Sequence, residues 1–198
     1  MDNEKHNQNQ ENIIAKELDR ELALYLLENK LEEIEIQKNK TDNTKAYSLT
    51  IPSEFEYNGN KYKITSIGNS AFANSEKLTN VIIMEGIKTI EYGAFGNCRK
   101  LTTVNIPEGV EKIGDSAFND CVKLTEITIP NSVTEIGEFA FGCCDSLKTV
   151  KIDKENSNLK IIKRKAFSSC TSLIKITIPN NIQEISESAF MYCDSLNT

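Results

Sequence analysis

The hydrophobic pattern of the chain repeats at a fixed spacing. An Ala-Phe pair recurs with successive steps of 23, 23, 23, 26 and 23 residues. A period in the twenties indicates that one small unit is stacked many times, because a single copy could not bury its apolar face alone. The pairs begin at Ala71, Ala94, Ala117, Ala140, Ala166 and Ala189.

Each copy contains an alternating segment that predicts one short strand. In the segment LTEITIP, Leu124, Ile127 and Ile129 point to one side of the strand. Glu126 and Thr128 point to the other side, so stacked copies predict a parallel sheet with its apolar side inward. All four prolines directly follow such strands, where the missing N–H ends the ladder.

The rest of each copy predicts the path back to the next strand. An apolar pair such as Val133 and Ile136 is expected to turn the chain across the end of the solenoid. The Ala-Phe segment begins with Asp or Ser cap candidates and predicts a short helix, with alanine and phenylalanine facing inward. The longer step falls at residues 153–160, where an inserted loop is tolerated.

The first 45 residues depart from the repeat. Residues 1–10 predict a polar, mobile tail, and residues 11–30 predict a helix because they lack glycine and proline. Residues 31–36 match the strand signature, so residues 11–45 are interpreted as a helix and a degenerate capping repeat. A coiled-coil or partner-docking helix is the alternative, and it would allow an oligomer in place of a monomer.

Residues 46–198 are assigned to the solenoid itself. A hairpin is predicted near its start, where Asn58-Gly59 separates two strand-like segments. The period predicts another strand after Leu196, so we expect the chain to be part of a longer parent.

The repeat pattern LxxIxIPxxVxxIGxxAFxxC closely resembles the BspA-like, or treponemal-type, leucine-rich repeats. The resemblance covers residues 46–196. It implies an α/β fold, a right-handed solenoid with a concave parallel sheet, short convex helices and an N-terminal helical cap. Members of the family are chiefly surface proteins, and some look like adhesins that bind host proteins or other cells. The resemblance therefore implies protein recognition and no enzyme activity.

Composition and charge exclude several other classes. The net charge is −6 with acidic and basic residues intermixed, which gives no basic stripe for nucleic acid. No segment approaches the ~18 apolar residues of a membrane span, and the first 12 residues lack a signal-peptide core. The chain as written is therefore expected in the cytoplasm, whereas the family is often surface-exposed or secreted.

The cysteines follow the repeat. Five of six stand three residues after the repeated phenylalanine, which predicts buried, free thiols. A ladder spaced at ~4.8 Å keeps Cβ atoms beyond the ~3.5 to 4.5 Å of a disulfide, and it does not converge as a zinc site requires. Cys143 breaks the register and is predicted to be exposed, as a reactive thiol or as a purely structural residue. The only histidine, His6, lies in the polar tail, so neither a catalytic group nor a cofactor is expected.

Binding is predicted on the outward positions of the strands. A protein ligand is the leading hypothesis and a glycan the second, whereas an intracellular scaffold that docks through the N-terminal helix is the alternative function. The threonines there also have a purely structural explanation, as good exposed strand residues. Ile82 is the exception, since it is apolar on an outward position. The predicted binding residues are Asn80, Ile82, Thr103, Asn105, Glu126, Thr128, Thr149, Lys151, Lys175 and Thr177.

Overall fold

A computed structural model describes residues 47–57 and 60–197. The chain divides into two units, Met1–Lys45 and Ala46–Thr198, and all described residues belong to the second. The predicted N-terminal helix and degenerate repeat lie outside the described residues, as does the polar tail with His6.

The described residues form strands joined by turns. One layer, which we call the first sheet, contains β1 and the strands with the alternating signature, and its outward side is called the first face. Its strands are β1 (Tyr47–Ile51), β5 (Leu78–Ile83), β7 (Thr103–Asn105), β9 (Glu126–Thr128), β11 (Thr149–Lys151) and β13 (Lys175–Ile176). The second sheet consists of two-residue strands: β4 (Ser66–Ile67), β6 (Thr89–Ile90), β8 (Lys112–Ile113), β10 (Glu135–Ile136), β12 (Ile161–Ile162) and β14 (Glu184–Ile185). A hairpin, β2 (Glu54–Tyr57) and β3 (Asn60–Lys63), completes the set.

Except for β7 and β9, strands of the same kind pair in parallel with their counterparts in neighbouring coils. Residues one period apart become partners, as in Val81 with Val104 and Ile127 with Val150. The inward residues of these strands from β1 to β12 are buried, which confirms the predicted core pattern, whereas Ile176 and Ile185 of the last coil keep part of their surface exposed. The result is a parallel β-solenoid whose core lies between the two strand layers and the Ala-Phe turns.

The second sheet corrects one expectation. The apolar pair after each strand was expected only to turn the chain, but its second member lies in a strand. These strands run side by side from β4 to β14 as one six-stranded parallel sheet. Each places a single isoleucine inward, as Ile113 and Ile136 do with no exposed surface. Two-residue strands are too short to show alternation in the sequence.

The prediction of short convex helices is wrong: the Ala-Phe segments are consecutive turns. Phe118 donates its N–H to the carbonyl of Ala140 in the next coil, at 2.7 Å. An α-helix would need that N–H within its own segment. Two positions of each turn also have a positive φ, including Ser116 (56°) and Asp120 (61°), which no right-handed helix allows. The described residues contain no helix that could cross a membrane.

The phenylalanines of the turns form a continuous stack. Successive ring centroids from Phe72 to Phe190 lie 5.2 to 5.5 Å apart, with interplanar angles of 5° to 11°. The stack runs from one coil to the next along the solenoid. Aromatic pairs in this near-parallel, offset arrangement add to the stabilisation from buried area.

The first sheet is interrupted between β7 and β9. These neighbouring strands share no ladder, so the layer divides into β1-β5-β7 and β9-β11-β13. On the β7 side of the interruption Val104 and Ile106 keep 9% and 8% of their surface exposed, whereas Ile127 and Ile129 on the β9 side keep 1% and 2%. The second sheet has no such break and holds the coils together there.

Two local features interrupt the regular coils. In the predicted hairpin, β2 and β3 pair antiparallel, with Phe55 opposite Tyr62, and their connection at residues 58–59 lies outside the described part of the chain. The inserted loop after β11 folds on Asp153, whose carboxylate accepts the N–H groups of Glu155 and Asn156 at 2.9 and 3.0 Å. The side-chain amide of Asn156 and these two N–H groups donate hydrogen bonds to the Asp153 carboxylate and hold the pKa of its carboxyl below the usual range.

Candidate functional site

The ten predicted binding residues lie on the outward side of the first sheet, and none is buried. Pairing and period place them in two rows, which run across the coils. The first row contains Asn80, Thr103, Glu126, Thr149 and Lys175; the second contains Ile82, Asn105, Thr128, Lys151 and Thr177.

The side chain of Asn105 replaces a backbone hydrogen bond that is missing where the first sheet ends. In the first coil the Met84 N–H donates to the carbonyl of Ile51 at 3.0 Å, but the corresponding residue of the next coil is Pro107, which has no N–H. The side-chain Nδ2 of Asn105 donates to the Ile83 carbonyl at 3.1 Å in its place. Its Oδ1 accepts the Ile83 N–H at 2.8 Å. Both ends of this amide are therefore engaged within the fold.

Four further polar members of the rows are hydrogen-bonded in two pairs. Asn80 donates to the hydroxyl of Thr103 at 2.7 Å, across β5 and β7. Lys151 donates to the Glu126 carboxylate at 2.7 Å, across β11 and β9. Both side chains of this ion pair are more than half exposed, so water screens it and its net stabilisation is small.

A groove of about 540 Å³ opens beside the C-terminal half of the first face. Its floor is the row of residues on β9 and β11, and its walls are the segments that leave the strands. Glu108 and Asp153 stand on these walls, although the sequence analysis did not include either among the binding residues. Of the predicted residues, those that line the groove are Thr128, Thr149, Lys151, Lys175 and Thr177.

The polar groups of the groove differ in how firmly they are held. Glu108 accepts the backbone N–H groups of Asn131 and Ser132 at 3.1 and 3.3 Å, which fixes its carboxylate on one wall. Lys175, in contrast, has no ion-pair partner within residues 47–57 and 60–197. A fixed anion, a paired lysine and an unpaired lysine beside threonine hydroxyls can bind a polar ligand carrying both signs of charge.

The second sheet has a charged outer side of a different kind. The Glu135 carboxylate lies 2.8 Å from Lys163 and 3.3 Å from Lys112. Burial alone would raise the pKa of Glu135, but the two lysines hold it below its ordinary value. Because these charges neutralise one another along the coils, this side offers a partner few unpaired groups.

The cysteines form a hydrogen-bonded ladder. Burial of Cys98, Cys121, Cys144 and Cys170 and exposure of Cys143 confirm the prediction, while Cys193 is half-buried. Each thiol of the ladder donates to the carbonyl of the phenylalanine one coil back, as Cys121 does to Phe95 at 3.3 Å. A thiol is a weak donor, so the ladder cysteines satisfy a carbonyl as well as filling space.

Burial fixes the ionisation of these thiols. Desolvation raises the pKa of Cys98 to about 11 and that of Cys121 well above its ordinary value. Thiols that stay protonated at neutral pH are poor nucleophiles and poor metal ligands. Within the described part of the chain, no three His, Cys, Asp or Glu side chains are grouped to hold a metal ion.

Together, these features define the class of the protein. Short parallel strands repeat with a nearly constant period, and inward leucine, isoleucine and phenylalanine ladders fill the core, which makes this a leucine-rich-repeat solenoid. Six copies of the BspA type leucine rich repeat region match residues 65–197, and the chain belongs to this family. The family membership confirms the resemblance.

Solved structures show the same fold in bacterial proteins. A leucine-rich repeat protein from Bacteroides ovatus is 30% identical, with a TM-score of 0.52, over 79% of this chain and 49% of its own. A leucine rich cell surface protein from Faecalibacterium prausnitzii is also 30% identical, with a TM-score of 0.56, over 78% and 47%. The T. pallidum leucine rich repeat protein is 23% identical, with a TM-score of 0.56, over 77% and 78%. The chain thus spans about half the length of the first two. No curated protein matches it.

Proposed function

We propose that this chain is a non-catalytic recognition module that binds a protein partner through the first face. The observation that carries the proposal is the groove on that face, where Lys175 and the hydroxyls of Thr128 and Thr149 are available to a ligand. Leucine-rich repeat proteins are generally protein-interaction modules, which supports the same conclusion.

The dimensions of the face support a protein ligand. Neighbouring strands of a sheet lie about 4.8 Å apart, so the stacked strands form an extended surface. A typical protein interface covers about 800 Å² on each partner, which a face of several coils can supply. Charged groups of both signs in the groove favour a protein over a neutral glycan.

An adhesin-like role is the form of recognition that we propose. The Faecalibacterium prausnitzii protein that shares 30% identity is described as a cell surface protein. A repeat face exposed at a cell surface would meet partners on host proteins or on other cells.

The proposal is tested by removing the groove's polar side chains together. In the variant Thr128→Ala, Lys151→Ser, Lys175→Ser, we expect loss of specific protein capture by the immobilised chain, with an unchanged Tm. The matched control is Thr134→Ala with Lys112→Ser, which alters the side of the second sheet. Unchanged capture by the triple variant would contradict the choice of this surface.

A further inference from the structure

Two large apolar side chains stand exposed together at the end of β5. Ile82 and Met84 keep 47% and 46% of their surface exposed. They are two residues apart on an extended segment, so they project to the same side of the sheet and lie side by side. This pair lies toward the N-terminal end of the first face and does not line the groove, although Glu108 on the following coil borders both.

The fold does not require apolar residues at these positions. In other coils the place of Ile82 is taken by polar residues, among them Asn105, Thr128 and Lys151. The place of Met84 is taken by proline or Asp153. The hydrogen bond between Met84 and Ile51 uses the backbone N–H of Met84 and not its side chain. Any residue except proline supplies that N–H group.

The surroundings of the pair are acidic. Glu85 directly follows Met84, and Glu108 takes the place of Glu85 in the next coil. Both are exposed, and Glu85 has no ion-pair partner within the described part of the chain. On the hairpin, Glu54 stands opposite Lys63, so these two charges balance. The nearest lysine on the following segment, Lys88, is already paired with Glu111 at 3.2 Å. The hydrogen bonds that Glu108 accepts leave its negative charge in place.

The base of the hairpin adjoins the same segment. Ser53, which precedes β2, is in ordinary contact range of the Gly86 position, at 3.5 Å from a Cβ built there. Ile64, which follows β3, donates its N–H to the Ser53 carbonyl at 2.9 Å. The base of the hairpin therefore lies beside the segment that follows Met84.

We propose that Ile82 and Met84 form the apolar centre of a docking site for a cationic segment of a protein partner. An apolar side chain of that segment would cover the pair, and lysine or arginine on either side would face Glu85 and Glu108. The net charge of −6 also attracts such a segment over longer distances. The inference rests on the proposed function because it places the partner on the same face, but it concerns a different part of it.

The experiment uses labelled peptides and fluorescence anisotropy. The probe is a peptide with leucines flanked by lysines; one comparison peptide replaces leucine with serine, and another replaces lysine with glutamate. We expect the Lys/Leu peptide to bind more tightly than either comparison, and to bind more weakly as salt is raised. Ile82→Thr with Met84→Gln should weaken its binding at least about tenfold, which corresponds to ~1.4 kcal/mol. Glu85→Gln should also weaken it.

Two controls make the result decisive. Ile174 is 48% exposed on another coil, so Ile174→Thr removes a similar apolar surface and should leave binding unchanged. The groove triple variant should also bind the peptide normally. The proposal is overturned if the glutamate peptide binds equally well, if no peptide binds, or if Ile174→Thr matches the double variant. A failed peptide experiment with intact capture through the groove would refute this docking site alone.

Discussion

Replacing Phe118 by alanine tests whether the phenylalanine stack holds the coils together. The Phe118 side chain has no exposed surface and stacks on Phe95 and Phe141 at 5.2 and 5.3 Å. Truncating a buried phenylalanine costs about 3 to 5 kcal/mol, and each aromatic contact adds about 0.5 to 1.5 kcal/mol beyond area. Phe95 and Phe141 hold both sides of this position, so the surrounding side chains can only partly fill the cavity that Phe118→Ala leaves. We expect a loss near the upper end, about 5 kcal/mol.

Phe190 provides the matched control for this measurement. It is half-buried and has one ring neighbour in the described stack, Phe167 at 5.5 Å, so Phe190→Ala should cost about half as much. The assay is urea unfolding followed by circular dichroism, with equal m-values required for comparison. Equal losses for Phe118→Ala and Phe190→Ala, or a loss below about 1.5 kcal/mol for Phe118→Ala, would refute the reasoning.

Three other predictions follow from local geometry. Gly137→Ala places a Cβ 2.5 Å from the backbone of the previous coil and should lower the free energy of unfolding in urea by about 1 to 3 kcal/mol. Gly96→Ala, whose Cβ would have its nearest atom at 3.3 Å, should lower it less. Equal losses for the two variants would contradict this prediction. Cys143 has a φ of 56°, so Cys143→Asn should raise stability by about 0.5 to 1 kcal/mol; a lower Tm would oppose this. The folded pKa of Cys98, about 11, lies above the ordinary 9.0, so the unfolded chain ionises first. The free energy of unfolding should therefore decrease as pH rises from 9 towards 11. In Cys98→Ser the slope of that decrease should be smaller by up to about 1.4 kcal/mol per pH unit. Unchanged slopes would count against a buried, protonated Cys98.

The sequence pattern predicts the strands of the first sheet because each carries several alternating residues. Leu124, Ile127 and Ile129 can be assigned to one side by spacing alone, and all three are buried. The second sheet escapes the same method because each of its strands from β4 to β12 contributes only one buried isoleucine, such as Ile113. A strand with a single apolar residue gives no periodic pattern that the sequence could reveal.

The turns were predicted as helices because a cap residue followed by Ala-Phe resembles a short helix. The contrary signal is the recurrence of residues that tolerate positive φ at one register position, Asn74, Asn97 and Asp120. Cys143 and Tyr192 adopt the same conformation at that position, at 56° and 61°, so the stack imposes it even where the residue disfavours it.

The outward rows could be placed from the sequence, but their state of pairing could not. Whether the side chain of Asn105 is available to a ligand depends on two features. Pro107 has no N–H, and the Ile83 carbonyl one coil away therefore accepts the Asn105 amide. The pairing of Glu126 with Lys151 depends on a side-chain geometry that spacing does not fix. Both partners lie about one period apart, so aligning the copies side by side is the sequence comparison that could reveal such pairs.

Site-specific photo-crosslinking from one coil most directly tests recognition through the first face. Thr128 and Thr134 are both exposed and belong to the same coil, but Thr128 faces the groove and Thr134 precedes β10 of the second sheet. With a photoreactive residue at each position in turn, partner adducts are predicted from position 128 and not from position 134. Adducts from position 134 alone would contradict the account.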